Sequence, residues 1–109
     1  MAKKYEYVIR QCPMNTSYCF RSFDEAKGKW SIHDYVRVYS GEIEGETINE
    51  ALEKLFVKFN VGHPVDYHGR SLSVSDVVWI GKVNEDGKRK GQFYYCDSFG
   101  WSECPTKRA

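Results

Sequence analysis

Between Thr47 and Asn60 the sequence TINEALEKLFVKFN repeats its apolar residues with helical period, and this stretch constrains the fold more than any other. Thr47 followed by Glu50 has capping-box spacing. Ile48, Leu52, Leu55, Phe56 and Phe59 fall on one face, with Glu53 and Lys54 pointing away. The spacing predicts a helix over about 47–60. Burying five such side chains contributes on the order of 10 kcal/mol before chain entropy, an upper figure because unfolded chains are already partly collapsed. Asn60 and Gly62 suit a left-handed C-terminal residue, and Pro64 prevents the helix from resuming. A helix with one apolar stripe needs a second layer, and the flanking sequence offers a sheet.

Tyr5 to Gln11 alternates, with Tyr5, Tyr7 and Ile9 on one side and Glu6, Val8 and Arg10 on the other. Alternation also places Tyr35, Arg37 and Tyr39 opposite Val36 and Val38 in a second strand that starts at Asp34 and ends near Gly41 or Gly45. SVSDVVWIGKV, rich in β-branched residues, reads as a central strand. Asn84 to Gly87 supplies a turn with an Asp-Gly step, and Gln92 to Asp97 returns as the partner of a hairpin. A short strand is expected around Trp101. Ser22 and Glu25 form another capping box, so a short helix is expected near 23–30, weakened by Gly28. The fold class is α+β: a four- or five-stranded, mostly antiparallel sheet with the main helix packed on one face. Residues 1–109 are expected to form a single domain, since no repeat, linker or low-complexity tract divides them.

Charge excludes some partners. Sixteen Lys and Arg against fifteen Asp and Glu leave a net charge of +1, which gives no overall field towards nucleic acid and no acidic surface fit for mimicking DNA. No stretch reaches transmembrane length, and MAKKYEYVIRQC lacks the apolar run of a signal peptide, so the expected compartment is the cytoplasm. The four cysteines are then expected as free thiols. Zinc is not expected, because six residues separate Cys12 from Cys19 and seven separate Cys96 from Cys104, wider than one turn can present. A redox pair of Cys12 with Cys19, or of Cys96 with Cys104, is the lesser reading.

The most enzyme-like group is HPVDYHGR, where His63, Asp66 and His68 could meet Cys96 or Asp97 for acid-base or nucleophilic work. No nucleophile motif, phosphate loop or serine elbow accompanies them, and His, Pro and Gly also serve to fold a loop. Asp76 and Asp97 could pair as carboxylates, although closing a tight turn is the commoner role of Asp. No catalytic residue, metal or cofactor is assigned. Aromatic residues are abundant, at 16%, and large rings with polar edges serve recognition as well as cores. The candidate binding residues are Tyr18, Arg21, Trp30, Tyr67, Arg70 and Trp101, taken as exposed, because Tyr, Trp and Arg dominate interface energetics. A nucleic-acid surface would instead draw on Lys88, Arg89 and Lys90 beside Tyr94.

The segments YVRVYSGEIEGETINEALEKLFVKFN, HPVDYHGRSLSVSDVVWI and YYCDSFGWSEC closely resemble the YodL-like family, small domains of bacterial conjugative elements and phages that also occur within large mobile-element proteins. The resembling stretches run from about Tyr35 to Cys104. Residues 1 to about 33 show little of the pattern, and a partner-specific surface is expected there. Arg70 stands where the family commonly has His, which weakens a catalytic reading of that loop. The resemblance implies kinship of fold and a mobile-element or phage context, and it carries no residue roles. The expected function is a small non-enzymatic protein that binds and modulates a larger host or element protein, such as a nuclease of a defence system, as an anti-restriction or anti-CRISPR inhibitor would. Nucleic acid would then be touched only indirectly. The alternative is a small nucleic-acid-binding β domain.

Overall fold

A computed structural model describes residues 3–26, 28–62, 65–67, 69, 71–83, 89–97 and 100–104. Their elements, in chain order, are β1 (Lys3–Gln11), α1 (Phe23–Ala26), a 3-10 turn (Ile32–Asp34), β2 (Val36–Gly45), α2 (Ile48–Val61), β3 (Val77–Val83), β4 (Arg89–Cys96) and β5 (Trp101–Glu103). The five strands form one sheet in the order β2-β1-β3-β4-β5, and every neighbouring pair is antiparallel. The expected α+β class holds, and the valine-rich strand β3 is central. Because β2 and β3 both run against β1, they are parallel to each other, and α2 is the crossover that joins them.

Helix α2 starts where its capping residue predicts. Thr47 takes the N-cap position and its Oγ1 accepts from the Glu50 N–H at 3.1 Å; Glu50 Oε1 in turn accepts from the Glu46 N–H at 3.4 Å. The buried stripe is Ala51, Leu52, Leu55 and Phe59. Phe56 is not part of it, being 39% exposed, because its Cβ lies about 100° around the helix from Leu55 and beyond the sheet-facing edge. Ala51 takes its place. The helix ends at Val61, with the Gly62 N–H donating to the Lys58 carbonyl and Gly62 at φ −150, so no left-handed residue closes it. Pro64 lies outside the described residues.

One face of the sheet meets α2. Tyr5, Tyr7 and Ile9 of β1 join Val78 and Ile80 of β3 beneath Leu52, Leu55 and Phe59. Phe59 sits in an aromatic cluster, its ring 6.0 Å from Tyr7, 5.4 Å from Tyr39 and 4.8 Å from Tyr67, in edge-to-face geometry. The opposite face is covered at one end by residues 12–35, where Cys12, Tyr18, Ala26 and Tyr35 close over Val77 and Tyr95. The molecule therefore has three layers, with the sheet in the middle. In the outer layer Ser22 and Glu25 form the capping box expected of them, at 3.4 Å in each direction, but α1 is a single turn and not a helix reaching residue 30.

Two local features set the faces. Pairing between β1 and β2 slips after Ile9: Ile9 faces Tyr39, while Arg10 faces Arg37, leaving Val38 as the extra residue of a bulge. Alternation alone predicts Arg37 and Tyr39 on one side. The bulge separates them, so Tyr39 joins the α2 core and Arg37 turns to the other face. On that face Gly91 lies across from Gly81, and a Cβ on Gly91 would press into the Trp79 indole at 2.6 Å. Among the described residues no helix is long and apolar enough to cross a membrane.

Leu55→Ala is expected to cost about 2 to 5 kcal/mol in urea unfolding, and Phe56→Ala less than about 1 kcal/mol. Equal losses at the two positions would contradict the stripe described above.

Candidate functional site

The segment between α2 and β3 carries the Ser-Leu-Ser-Val-Ser-Asp motif, and its side chains converge on a buried polar knot. Asp76 is fully buried, and its Oδ2 accepts from the Ser73 N–H at 2.8 Å and from Gln11 Nε2 at 3.0 Å. Gln11, the last residue of β1, also donates from Nε2 to Tyr67 Oη at 3.3 Å. The backbone joins this turn to β4, with the Ser75 N–H donating to the Cys96 carbonyl at 2.9 Å and the Cys96 N–H to that of Asp76 at 2.8 Å.

Ser75 is fully buried at φ 85, a left-handed conformation that costs a serine free energy. That conformation directs its polar groups to the outer layer. Its Oγ accepts from the Phe20 N–H at 2.9 Å and lies 3.8 Å from Cys12 Sγ and 4.0 Å from Cys19 Sγ, while its carbonyl accepts from Tyr35 Oη. Asp97 does the same work at the end of β4. Its Oδ1 accepts from the Phe23 N–H at 3.2 Å and its Oδ2 from Ser102 Oγ at 2.6 Å, and its own N–H closes a turn onto the Gly100 carbonyl. Asp76 and Asp97 thus each hold a turn.

These groups are poorly suited to attack a substrate. Burial, aided by the charges of Asp76 and Asp97, pushes the Cys96 thiol up to about 12, and burial alone pushes Cys104 up to about 12. Burial also raises Cys12. Thiols held protonated are weak nucleophiles and weak metal ligands. Among the described residues, no three His, Cys, Asp or Glu side chains gather as a metal site would require, and no disulfide joins any of the four cysteines. His63 and His68 lie outside the described residues. Asp66 accepts from Tyr39 Oη at 3.0 Å beside the β2 edge, whereas Asp97 belongs to the β4 and β5 side of the sheet, so these two carboxylates do not converge.

The five expected binding residues that are described do not form one surface. Tyr18 and Tyr67 are buried, at 2% and 3% exposure, so both leave the exposed set. Tyr18 donates to Asp34 Oδ2 at 2.8 Å within the outer layer, and Tyr67 packs on Phe59. Trp30 is half-buried in the outer layer and Trp101 half-buried on the α2 side, so the two tryptophans attend opposite faces. Arg21 is exposed and pairs with Glu25 at 3.6 Å, an ion pair of little energetic weight. Arg70 lies outside the described residues. Of the basic set, Lys90 is exposed on β4 and Tyr94 is partly buried against the α2 core; Lys88 and the Arg89 side chain lie outside the described residues.

A family model described as the YodL-like domain matches residues 7–106. The chain belongs to the YodL-like family. The match takes in nearly all of the N-terminal third, so the outer layer is part of the YodL-like pattern and not an addition to it. Searches of curated proteins and of solved structures returned no match. Within this YodL-like domain, the residues that pattern reasoning missed are Gln11, Ser75 and Tyr35, whose partners lie 65, 55 and 40 positions away in the chain. The one local signal was the Ser-Val-Ser-Asp run, a turn composition ahead of a strand.

The raised thiols give alkaline instability a definite sign. The folded state holds these protons more tightly than the unfolded state, so the contribution is complete below pH 9 and is lost as pH rises towards 12. The free energy of urea unfolding is expected to fall across that window, by about 1.4 kcal/mol per pH unit for each thiol titrating. Cys104→Ala should flatten the slope, and an unchanged profile in that variant would contradict the assignment.

Proposed function

We propose that this YodL-like domain is a non-enzymatic module that binds and modulates a larger protein in the cytoplasm. The observation that carries the reading is an uncovered apolar strip along the outer side of α2. Val57 is 58% exposed, Val61 83% and Phe56 39%, with Val65 at 99% just beyond the helix. Val57 and Val61 stand one turn apart on the same helix face. Glu53, Lys54 and Lys58 are exposed around them, and an apolar strip rimmed by charge is the usual make-up of a protein-binding surface. The engagement of Asp76, Ser75 and Asp97 in fastening loops, with the Cys12, Cys96 and Cys104 thiols held protonated, adds weight to a binding role over a catalytic one.

In its finer form, the proposal makes the chain the product of a mobile element or phage, and its partner an effector of host defence such as a restriction or CRISPR nuclease. Support for that form comes from the context that the family resemblance implies. The test is affinity capture from host lysates followed by mass spectrometry, comparing the wild type with a Val57→Glu, Val61→Glu double variant. The proposal expects a stoichiometric protein bound by the wild type, at least about tenfold depleted with the variant, whose unfolding midpoint stays close to wild type because both positions are exposed. Capture of no such protein, or equal capture by both, would count against it. Adding the captured nuclease to a cleavage assay then checks inhibition.

The second reading, a nucleic-acid-binding β domain, is favoured by one observation: Lys82 and Lys90 oppose each other across β3 and β4. Fluorescence anisotropy with single- and double-stranded probes at two salt concentrations separates the readings, because phosphate contacts weaken steeply with salt.

A further inference from the structure

The register of the sheet sets two arginines against each other. Arg10 of β1 and Arg37 of β2 are direct partners, and they share the face away from α2 because the bulge at Val38 turns Arg37 to that side. Like charges directly opposed destabilise an antiparallel pair, and neither guanidinium can shed its proton under ordinary conditions. Nothing acidic relieves them: among the described residues neither arginine has an ion pair. Arg37 donates from Nη2 to Ser40 Oγ at 3.1 Å. Arg10 has no hydrogen-bond acceptor among the described residues; its Nε is shielded from solvent and unpartnered, which leaves its Nη groups as the accessible donors.

The surroundings favour a small ligand. The same cross-sheet rows hold Val8, 6% exposed, between Ser40 and Trp79, and Val77, fully buried, beside Arg10. This apolar floor strengthens any charge-assisted hydrogen bond made above it. Burial, and then the charge of Arg37, already lower the proton affinity of Arg10. Beside Arg37 lies a depression of about 300 Å³, lined also by Val8, Ser40, Gly41 and Tyr7, with Glu6 and Glu42 in its wall and Arg10 outside it.

We propose that Arg10 and Arg37, with Ser40 beside them, form a binding site for a single oxyanion, a phosphate or carboxylate group held by the two guanidinium forks. Planar forks recognise such groups through paired N–H donors. Ser40 adds a hydroxyl that can donate while it accepts from Arg37. The site is limited to one anionic group by its neighbours. Glu6 faces Glu42 on the same face of β1 and β2, about 13 Å along the strands from Arg10, so a second negative group on an extended polyanion would meet two carboxylates with, among the described residues, one cation paired to them, Lys4, at 3.8 Å from Glu42. The site is separate from the α2 strip and does not depend on the protein-binding reading.

The test titrates the full chain with inorganic phosphate, with acetate and with a single-stranded oligonucleotide, each against sodium chloride at matched ionic strength, and follows nitrogen-proton spectra. Phosphate, acetate or both should move the Arg10, Arg37 and Ser40 resonances saturably, including the shielded Arg10 Nε–H signal, and the stronger of the two identifies the preferred group. Arg37→Gln, at an exposed position, should weaken binding about tenfold while keeping the spectrum folded. Phosphate should also raise the unfolding midpoint of the wild type more than that of the variant. Shifts no larger than those from chloride, or equal affinity in Arg37→Gln, would overturn the site. Oligonucleotide binding through these same residues, tighter than phosphate, would overturn the limit to one anion.

Discussion

A carboxyl group shut away from water must be given hydrogen bonds inside the protein, and the bonds made by Asp76 Oδ2 organise the segments around it. That oxygen accepts from the Ser73 N–H of its own turn and from Gln11 at the end of β1. Together they fix where β3 begins and where β1 stops. The turn that serves Asp76 also places Ser75 in its left-handed conformation, and Ser75 then fastens the outer layer through Phe20 and Tyr35. Phe20 is itself left-handed, at φ 66, so two unfavourable backbone conformations meet across one hydrogen bond. Each costs on the order of 1 to 3 kcal/mol, and they persist because the layers on both sides of the sheet hold them.

This arrangement accounts for the polar character of the family motif without calling on catalysis. Serine and aspartate in sequence, close to two thiols, have the composition of an active site, yet their donors and acceptors are directed at backbone and side-chain groups of neighbouring segments. On the proposed reading, recognition falls to the periphery. Two kinds of unmatched surface remain there: apolar side chains on the outer side of α2, and a like-charged arginine pair on the far face of the sheet. Among the described residues, the first lacks a covering layer and the second lacks a counter-charge.

Much of the fold was legible because it rests on local rules. Thr47 and Glu50 announce the start of α2, Tyr5, Tyr7 and Ile9 announce the buried face of β1, and the valines after Asp76 announce a strand in the middle of the sheet. What escaped depends on contacts between distant segments. A bulge at Val38 leaves no mark in an alternating sequence, so the parting of Arg37 from Tyr39, and with it the arginine pair, could not be seen. Tyr18 and Tyr67 carry the same letters as interface tyrosines; only the closing of the outer layer, and the packing of Phe59, bury them. The turn of helix at Phe23 keeps its capping box but stops early, because Gly28 follows and Trp30 is drawn down onto Tyr35, with ring centroids 6.1 Å apart.

The dependence of the outer layer on Asp76 is open to one direct measurement, native-state hydrogen exchange on Asp76→Ala. Alanine removes the oxygen that accepts from both Gln11 and the Ser73 backbone. Global stability should drop by at least about 2 kcal/mol, and the Phe20, Ser75 and Cys96 amides should lose more protection than those paired between β1 and β2. If those three amides keep their protection and stability is unchanged, Asp76 does not fasten the layers and the architecture rests on apolar packing alone.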